Sequence, residues 1–182
     1  MASRFKKLKL QELGRIDPES YHSIKKIPLI VVLDNIRSLH NIGSVFRTCD
    51  AFLISEIWLT GFTAQPPHRE IHKTALGSTE TVKWRHIKDA DQAVEELTKK
   101  GFRIVPLEQA QGSTDIRSLS IKPEDKIALI LGNEVDGVSE QYMTAADEVL
   151  EIPQEGTKHS LNVSVSAGIA LWEVFKRMSK SG

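Results

Sequence analysis

Two adjoining stretches decide the fold: LIVVLD, residues 29–34, and HNIGSVFR, residues 40–47. The first is a short apolar run bounded by turn residues, the pattern of a strand buried on both faces of a parallel sheet. Beyond it, Ile42, Val45, Phe46, Cys49 and Leu53 recur at helical spacing, which predicts a helix from about Ile42 to Leu53. Asn41 stands where its N-cap belongs. The same arrangement recurs twice. GNEVDG, 132–137, follows IALIL, 127–131; IPQEGTKHSLNVSVSAG, 152–168, follows EVL, 148–150. In open α/β sheets ligands bind beyond the carboxyl ends of strands. Glycine, asparagine, glutamate and serine therefore collect at one edge of one sheet, and that edge is the candidate site.

Working outward, further strands are expected at EIWLTG (56–61), FRIVPL (102–107) and EVLEI (148–152). Helices are expected at 89–100, from about Ser139, and from Asn162 to Met178. Ser160 to Ser166 also alternates like a strand, but the helical stripe through Val163, Ala167, Ala170, Leu171, Val174 and Met178 runs longer. The segment after residue 61, with Pro66, Pro67 and Gly77, reads as irregular. Residues 3–13 have the spacing of a short amphipathic helix. Arg4, Lys6, Lys7, Lys9, Arg15, Lys25 and Lys26 make residues 1–27 a basic arm ahead of a domain at 28–182. Strands alternating with helices give an α/β domain, a mostly parallel sheet flanked by helices, and 182 residues suffice for its core.

Composition excludes several classes. Formal net charge is zero, so no overall basic field draws in nucleic acid. Cys49 is the single cysteine, which rules out an intrachain disulfide and a cysteine-rich zinc site. No apolar stretch has the length of a membrane span, and the basic N-terminus lacks an apolar signal core; a cytoplasmic location is expected. HREIH (68–72) puts two histidines one turn apart, but a zinc-protease motif needs glutamate where Arg69 stands, so no metal is expected. Neither G-x-G-x-x-G nor G-x-x-x-x-G-K-[ST] is present, against nicotinamide dinucleotides and nucleoside triphosphates. Cys49 faces the core. The three tryptophans read as structural, with Trp84, between Lys83 and Arg85, a possible base contact.

The remaining polar residues each admit two readings. Gly43, Arg47 and Asp50 share one helical face, so Arg47 is either a surface ion pair to Asp50 or a guanidinium that clamps a phosphate bidentately. Gly132 and Gly137 serve either a tight turn or the close approach of a flat ligand, with Glu134 between them. Ser160 and Asn162 either cap the last helix or sit beside N–H groups that suit a ligand.

Together Asn41-x-Gly43 with Arg47, Gly132-x-Glu134 with Gly137, and Ile152-Pro153 with Gly156 followed by SLNVSV (160–165) resemble, in this order, the motifs of the SpoU (TrmH) class of the SPOUT RNA methyltransferases. KTALGS (73–78) is also similar to that family, and the resemblance covers about residues 28–178. It implies a C-terminal deep trefoil knot, a homodimer, an S-adenosylmethionine pocket without metal, and methyl transfer to a ribose 2′-hydroxyl of tRNA or rRNA. Carried over by motif, Gly132, Ile152 and Leu161, with Leu107 in addition, would bind the cofactor. Arg47 would be the catalytic centre, supported by Asn41, Glu134, Ser160 and Asn162. Gln154 departs from the pattern, standing where an apolar residue is usual. Guanidinium stays protonated in proteins, so Arg47 is expected to hold an RNA phosphate and stabilise the developing alkoxide. A non-catalytic RNA-binding module on the same fold is the alternative, which the intact residue set argues against.

Overall fold

In the computed structural model, described over residues 5–179, a seven-stranded sheet runs in the order β3-β2-β1-β6-β4-β7-β5, and every pairing is parallel. A single 3-10 turn, Leu10–Leu13, takes the place of the amphipathic helix expected there. Gly14 ends it in the left-handed conformation, and Arg4 lies outside the described residues. α1 (Pro18–Ser23) is capped by Asp17, whose carboxylate accepts from Ser20 N–H. β1 (Ile27–Asp34) leads to α2 (Leu39–Ala51) and β2 (Ile54–Thr60). The stretch read as irregular holds α3 (Arg69–Ala75), α4 (Ser78–Thr81) and β3 (Trp84–Ile87). These elements span seven residues or fewer, too short to show a period. α5 (Ala90–Lys99), β4 (Arg103–Leu107) and the two-residue β5 (Thr114–Asp115) follow. β6 (Ile127–Leu131), α6 (Glu140–Thr144), β7 (Leu150–Glu151) and α7 (Val163–Met178) complete the chain.

Alternation along the central strands builds two cores. Leu29, Val31, Leu33, Leu129 and Leu131 face one side, with α2 and α7 packed on them; Ile30, Val32, Ala128 and Ile130 face the other, against Ala93 and Leu97 of α5 and Tyr142 of α6. Cys49 is fully buried in the first core, and burial holds its thiol well above the ordinary range. Trp84 is structural: its ring meets Phe46 edge-on and its Nε1 donates to the Thr79 carbonyl at 3.2 Å.

Two local expectations are corrected. Asn41 is not the cap of α2; Ser38 is, its hydroxyl accepting from Asn41 N–H at 3.3 Å, and the helix starts three residues before the apolar period does. Gly43 does not share a solvent face with Arg47 and Asp50. It is buried where α3 crosses α2, and a β-carbon there would overlap the Thr74 hydroxyl and the Ile71 carbonyl. Thr74 Oγ1 also donates to the His40 carbonyl at 3.0 Å, locking the two helices together.

Candidate active site

An open cavity of about 600 Å³ lies over the carboxyl ends of β4, β6 and β7. Its apolar wall comes from Leu107, Leu131, Ile152, Leu161 and Val163, and its polar wall includes Glu108, Glu134 and Asp136. No lysine or arginine lines it among the described residues, so its field favours a cation. All four residues expected to hold a cofactor, Leu107, Gly132, Ile152 and Leu161, line this one cavity, as do Glu134, Ser160 and Asn162. Gln154 lines it too, adding a polar group where an apolar one is usual.

The GNEVDG loop is built on itself. Asn133 N–H donates to the Gly137 carbonyl at 2.9 Å, and Gly137 N–H returns to the Asn133 carbonyl at 3.1 Å. The Asn133 side-chain oxygen accepts from Val135 and Asp136 N–H at 2.8 and 3.1 Å. The space a Gly132 side chain would need is filled by the Gly137–Val138 backbone, so the close approach this glycine permits is by its own loop. Gly137 has a φ of 72°, and a β-carbon there would meet the Glu108 carboxylate at 2.5 Å. That carboxylate accepts from Val138 N–H at 3.1 Å.

Glu134 is held at the tip. Its carboxylate accepts from Arg37 N–H at 3.1 Å, Ser38 N–H at 3.2 Å and Asn41 Nδ2 at 3.1 Å. Partial burial alone would raise this carboxyl; the donated bonds outweigh it and hold the group below its ordinary value. Asn41 then turns its oxygen to Asn162 Nδ2 at 3.2 Å. Asn162 caps α7, its oxygen accepting from Ser164 N–H at 2.9 Å and Ser164 Oγ at 2.7 Å. The chain Glu134–Asn41–Asn162 therefore joins all three motifs. Asn41 bridges them from inside the first turn of α2, a role a capping argument could not reveal. Ser160 lines the cavity with an exposed side chain.

Arg47 is not brought to the cavity wall. It lies on α2 six residues past Asn41, about 9 Å along the axis at 1.5 Å per residue. The ion pair with Asp50, one of the two readings, does not form; Asp50 accepts from Thr81 Oγ1 instead. Arg47 is exposed and its side chain makes no hydrogen bond or ion pair with any described residue, which leaves its guanidinium available. Sequence reasoning missed Ser38, Glu108 and Asn133; for the cap, the local signal was a serine, a preferred capping residue, just ahead of the helix.

The profile of the SpoU rRNA Methylase family matches residues 28–172, and the chain belongs to that family. It is 34% identical over 158 residues to a tRNA (guanosine(18)-2'-O)-methyltransferase of Aquifex aeolicus, covering 85% of this chain and 72% of the relative. It is 30% identical to the 23S rRNA (guanosine-2'-O-)-methyltransferase RlmB of Neisseria meningitidis, over 88% of this chain and 66% of that one. Among solved structures, an AdoMet-bound rRNA methyltransferase from Sinorhizobium meliloti superposes with a TM-score of 0.79 at 28% identity, over 88% of this chain and 61% of that chain. This chain thus spans about two thirds of the length of these three proteins.

Proposed function

We propose that this protein is an S-adenosylmethionine-dependent RNA methyltransferase that methylates a ribose 2′-hydroxyl of tRNA or rRNA. The observation that carries the reading is the Glu134–Asn41–Asn162 chain, which ties the three family motifs together at a cavity suited to a cation. The relatives named above support it.

The residues present fit the cofactor. Apolar side chains of Leu107, Ile152 and Leu161 suit the adenine, and the carboxylates beside them suit a sulfonium and hydroxyls. Bound there, the cofactor supplies an activated methyl group. This chain's part is orientation and electrostatics. Glu134 and Asn162 fix the cavity wall, and Asn41 fixes the start of α2 against it. Arg47, unpaired, always charged and set off from the cavity wall, holds an RNA phosphate in a bidentate grip; with the RNA lying across α2 and the cavity, its field stabilises the alkoxide as the 2′-hydroxyl loses its proton. Ser160 stands at the mouth where the ribose enters.

A homodimer belongs to this reading. Val165, Ile169 and Trp172 are 51%, 37% and 50% exposed, an apolar strip along α7 beside cavity-lining Val163 and Ser166. So does a C-terminal knot: Arg177 of α7 donates to the Leu119 carbonyl at 2.8 Å and the Arg117 carbonyl at 2.9 Å, holding the last helix against the loop between β5 and β6. The basic arm, residues 1–27, adds RNA affinity, and a cytoplasmic location accords with one buried free thiol and an RNA substrate.

Incubating the protein with methyl-labelled S-adenosylmethionine and total RNA, then digesting to nucleosides, should yield a 2′-O-methyl nucleoside. Arg47→Lys should keep cofactor binding and lose most turnover. No labelled ribose would defeat the methyl transfer, and no heat of cofactor binding besides would leave the non-catalytic RNA-binding module.

A further inference from the structure

Beneath the site, the carboxyl ends of β1, β2 and β6 are joined by buried and half-buried polar groups, of which only Asn133 lines the cavity. Asp34, the last residue of β1, is 0% exposed. Its carboxylate accepts from Ser139 N–H at 2.8 Å, Asn35 Nδ2 at 2.9 Å and Thr60 Oγ1 at 3.2 Å. Asn35 is left-handed, with a φ of 54°. Its oxygen accepts from Phe62 N–H at 3.2 Å and its Nδ2 donates to Ser139 Oγ at 3.2 Å. The Asn35 carbonyl accepts from Asn133 Nδ2 at 2.6 Å. One carboxylate and one asparagine thereby fix three loops: the turn after β2, the GNEVDG loop after β6, and the segment 35–38 that opens α2.

Two of those loops meet again at Glu134. The GNEVDG loop carries its carboxylate, and segment 35–38 supplies the Arg37 and Ser38 N–H groups that receive it. Glu134 is thus fixed twice, directly by those N–H groups and from below by Asn133 on Asn35. A buried carboxylate is costly unless its hydrogen bonds are made, and Asp34 makes three, each to a different loop or strand end.

We infer that Asp34 and Asn35 are positioning residues. Touching neither substrate nor cofactor, they set the separation between the cofactor-side loop and the helix that carries Asn41 and Arg47. The inference rests on the methyltransferase reading above. Misplacement by about 1 Å at a reacting centre can cost roughly 10²-fold in rate, so these residues act on turnover more than on binding.

The test compares wild type, Asp34→Asn and Asn35→Gly for kcat, KM for RNA, and calorimetric affinity for S-adenosylmethionine. Asp34→Asn keeps the shape but turns one of the two acceptor oxygens into a donor, so the three donated bonds cannot all survive. Asn35→Gly removes the side-chain links at a backbone angle glycine adopts freely, so it keeps the question open to measurement if Asp34→Asn fails to fold. The expected result is a kcat lowered roughly 10- to 100-fold, with both affinities within about threefold of wild type and melting above the assay temperature. Unchanged kcat in the folded variants overturns the inference. So does a loss shared equally by kcat and cofactor affinity, which is the mark of a merely structural role. A wild-type protein with no methyl transfer would instead sink the underlying function.

Discussion

Asn41 and Ser38 divide a task that one residue was expected to perform. Ser38 caps α2 and Asn41 bridges Glu134 to Asn162. Ser38→Ala should therefore cost about 1 kcal/mol of stability, read from denaturant unfolding. Asn41→Ala should leave the cap in place and cut methyl transfer with a smaller loss of stability; equal destabilisation by the two would contradict the division. Glu134 gives a second residue-scale expectation. Its folded carboxyl titrates below its unfolded value, about 4.3. The stability it contributes is then complete above the unfolded value and disappears as pH falls through the folded one. Wild type should exceed Glu134→Gln in unfolding midpoint near neutrality, and the gap should close below about pH 4. A gap constant with pH would mean the carboxylate's charge is not what the N–H groups hold. The Asn41 bridge and the partners of Glu134 were not legible from spacing, which places a residue on a turn but does not say which distant loop it meets.

Among the elements, the α2–α3 crossing is the least forgiving. Gly43 lets the helices touch, and Gly43→Ala would drive a methyl into the Ile71 carbonyl and the Thr74 hydroxyl. Overpacking of this kind costs about 1–3 kcal/mol, and here it would also tilt the helix that carries Asn41. A lowered melting temperature together with weakened methyl transfer is the expected outcome; a variant as stable as wild type would show that α3 can move aside. The strands and long helices could be read from the sequence because apolar residues repeat over enough turns to show a period. IALIL reads as β6 residue for residue, and Asn162 to Met178 as α7 with its cap. β3, β5, α3 and α4 span two to seven residues each and are set by pairing and packing, which leave no local period.

Across the whole molecule, the candidate cavity was legible as a place before it was legible as an arrangement. Three loops after three strands pointed to one edge, and Leu107, Gly132, Glu134, Ile152, Ser160, Leu161 and Asn162 all line the same cavity. The position of Arg47 was not legible, because six residues of helix carry it away from Asn41. The strip of Val165, Ile169 and Trp172, backed by the tilted Phe52–Phe175 pair with ring centroids 5.0 Å apart, is the surface a second copy would cover. In the proposed dimer, Trp172→Glu should move the sedimentation at micromolar concentration from two copies to one. An unchanged dimer would move the joint elsewhere.

The lone thiol of Cys49 gives this scaffold a built-in clock. It hangs from the inner side of the helix bearing Asn41 and Arg47, sealed from water and held protonated. An alkylating reagent can reach it only when the packing around that helix opens, locally or with the whole fold. The rate at which a maleimide consumes the native protein therefore times the opening of the catalytic framework, with no label to engineer and no second cysteine to confuse the count.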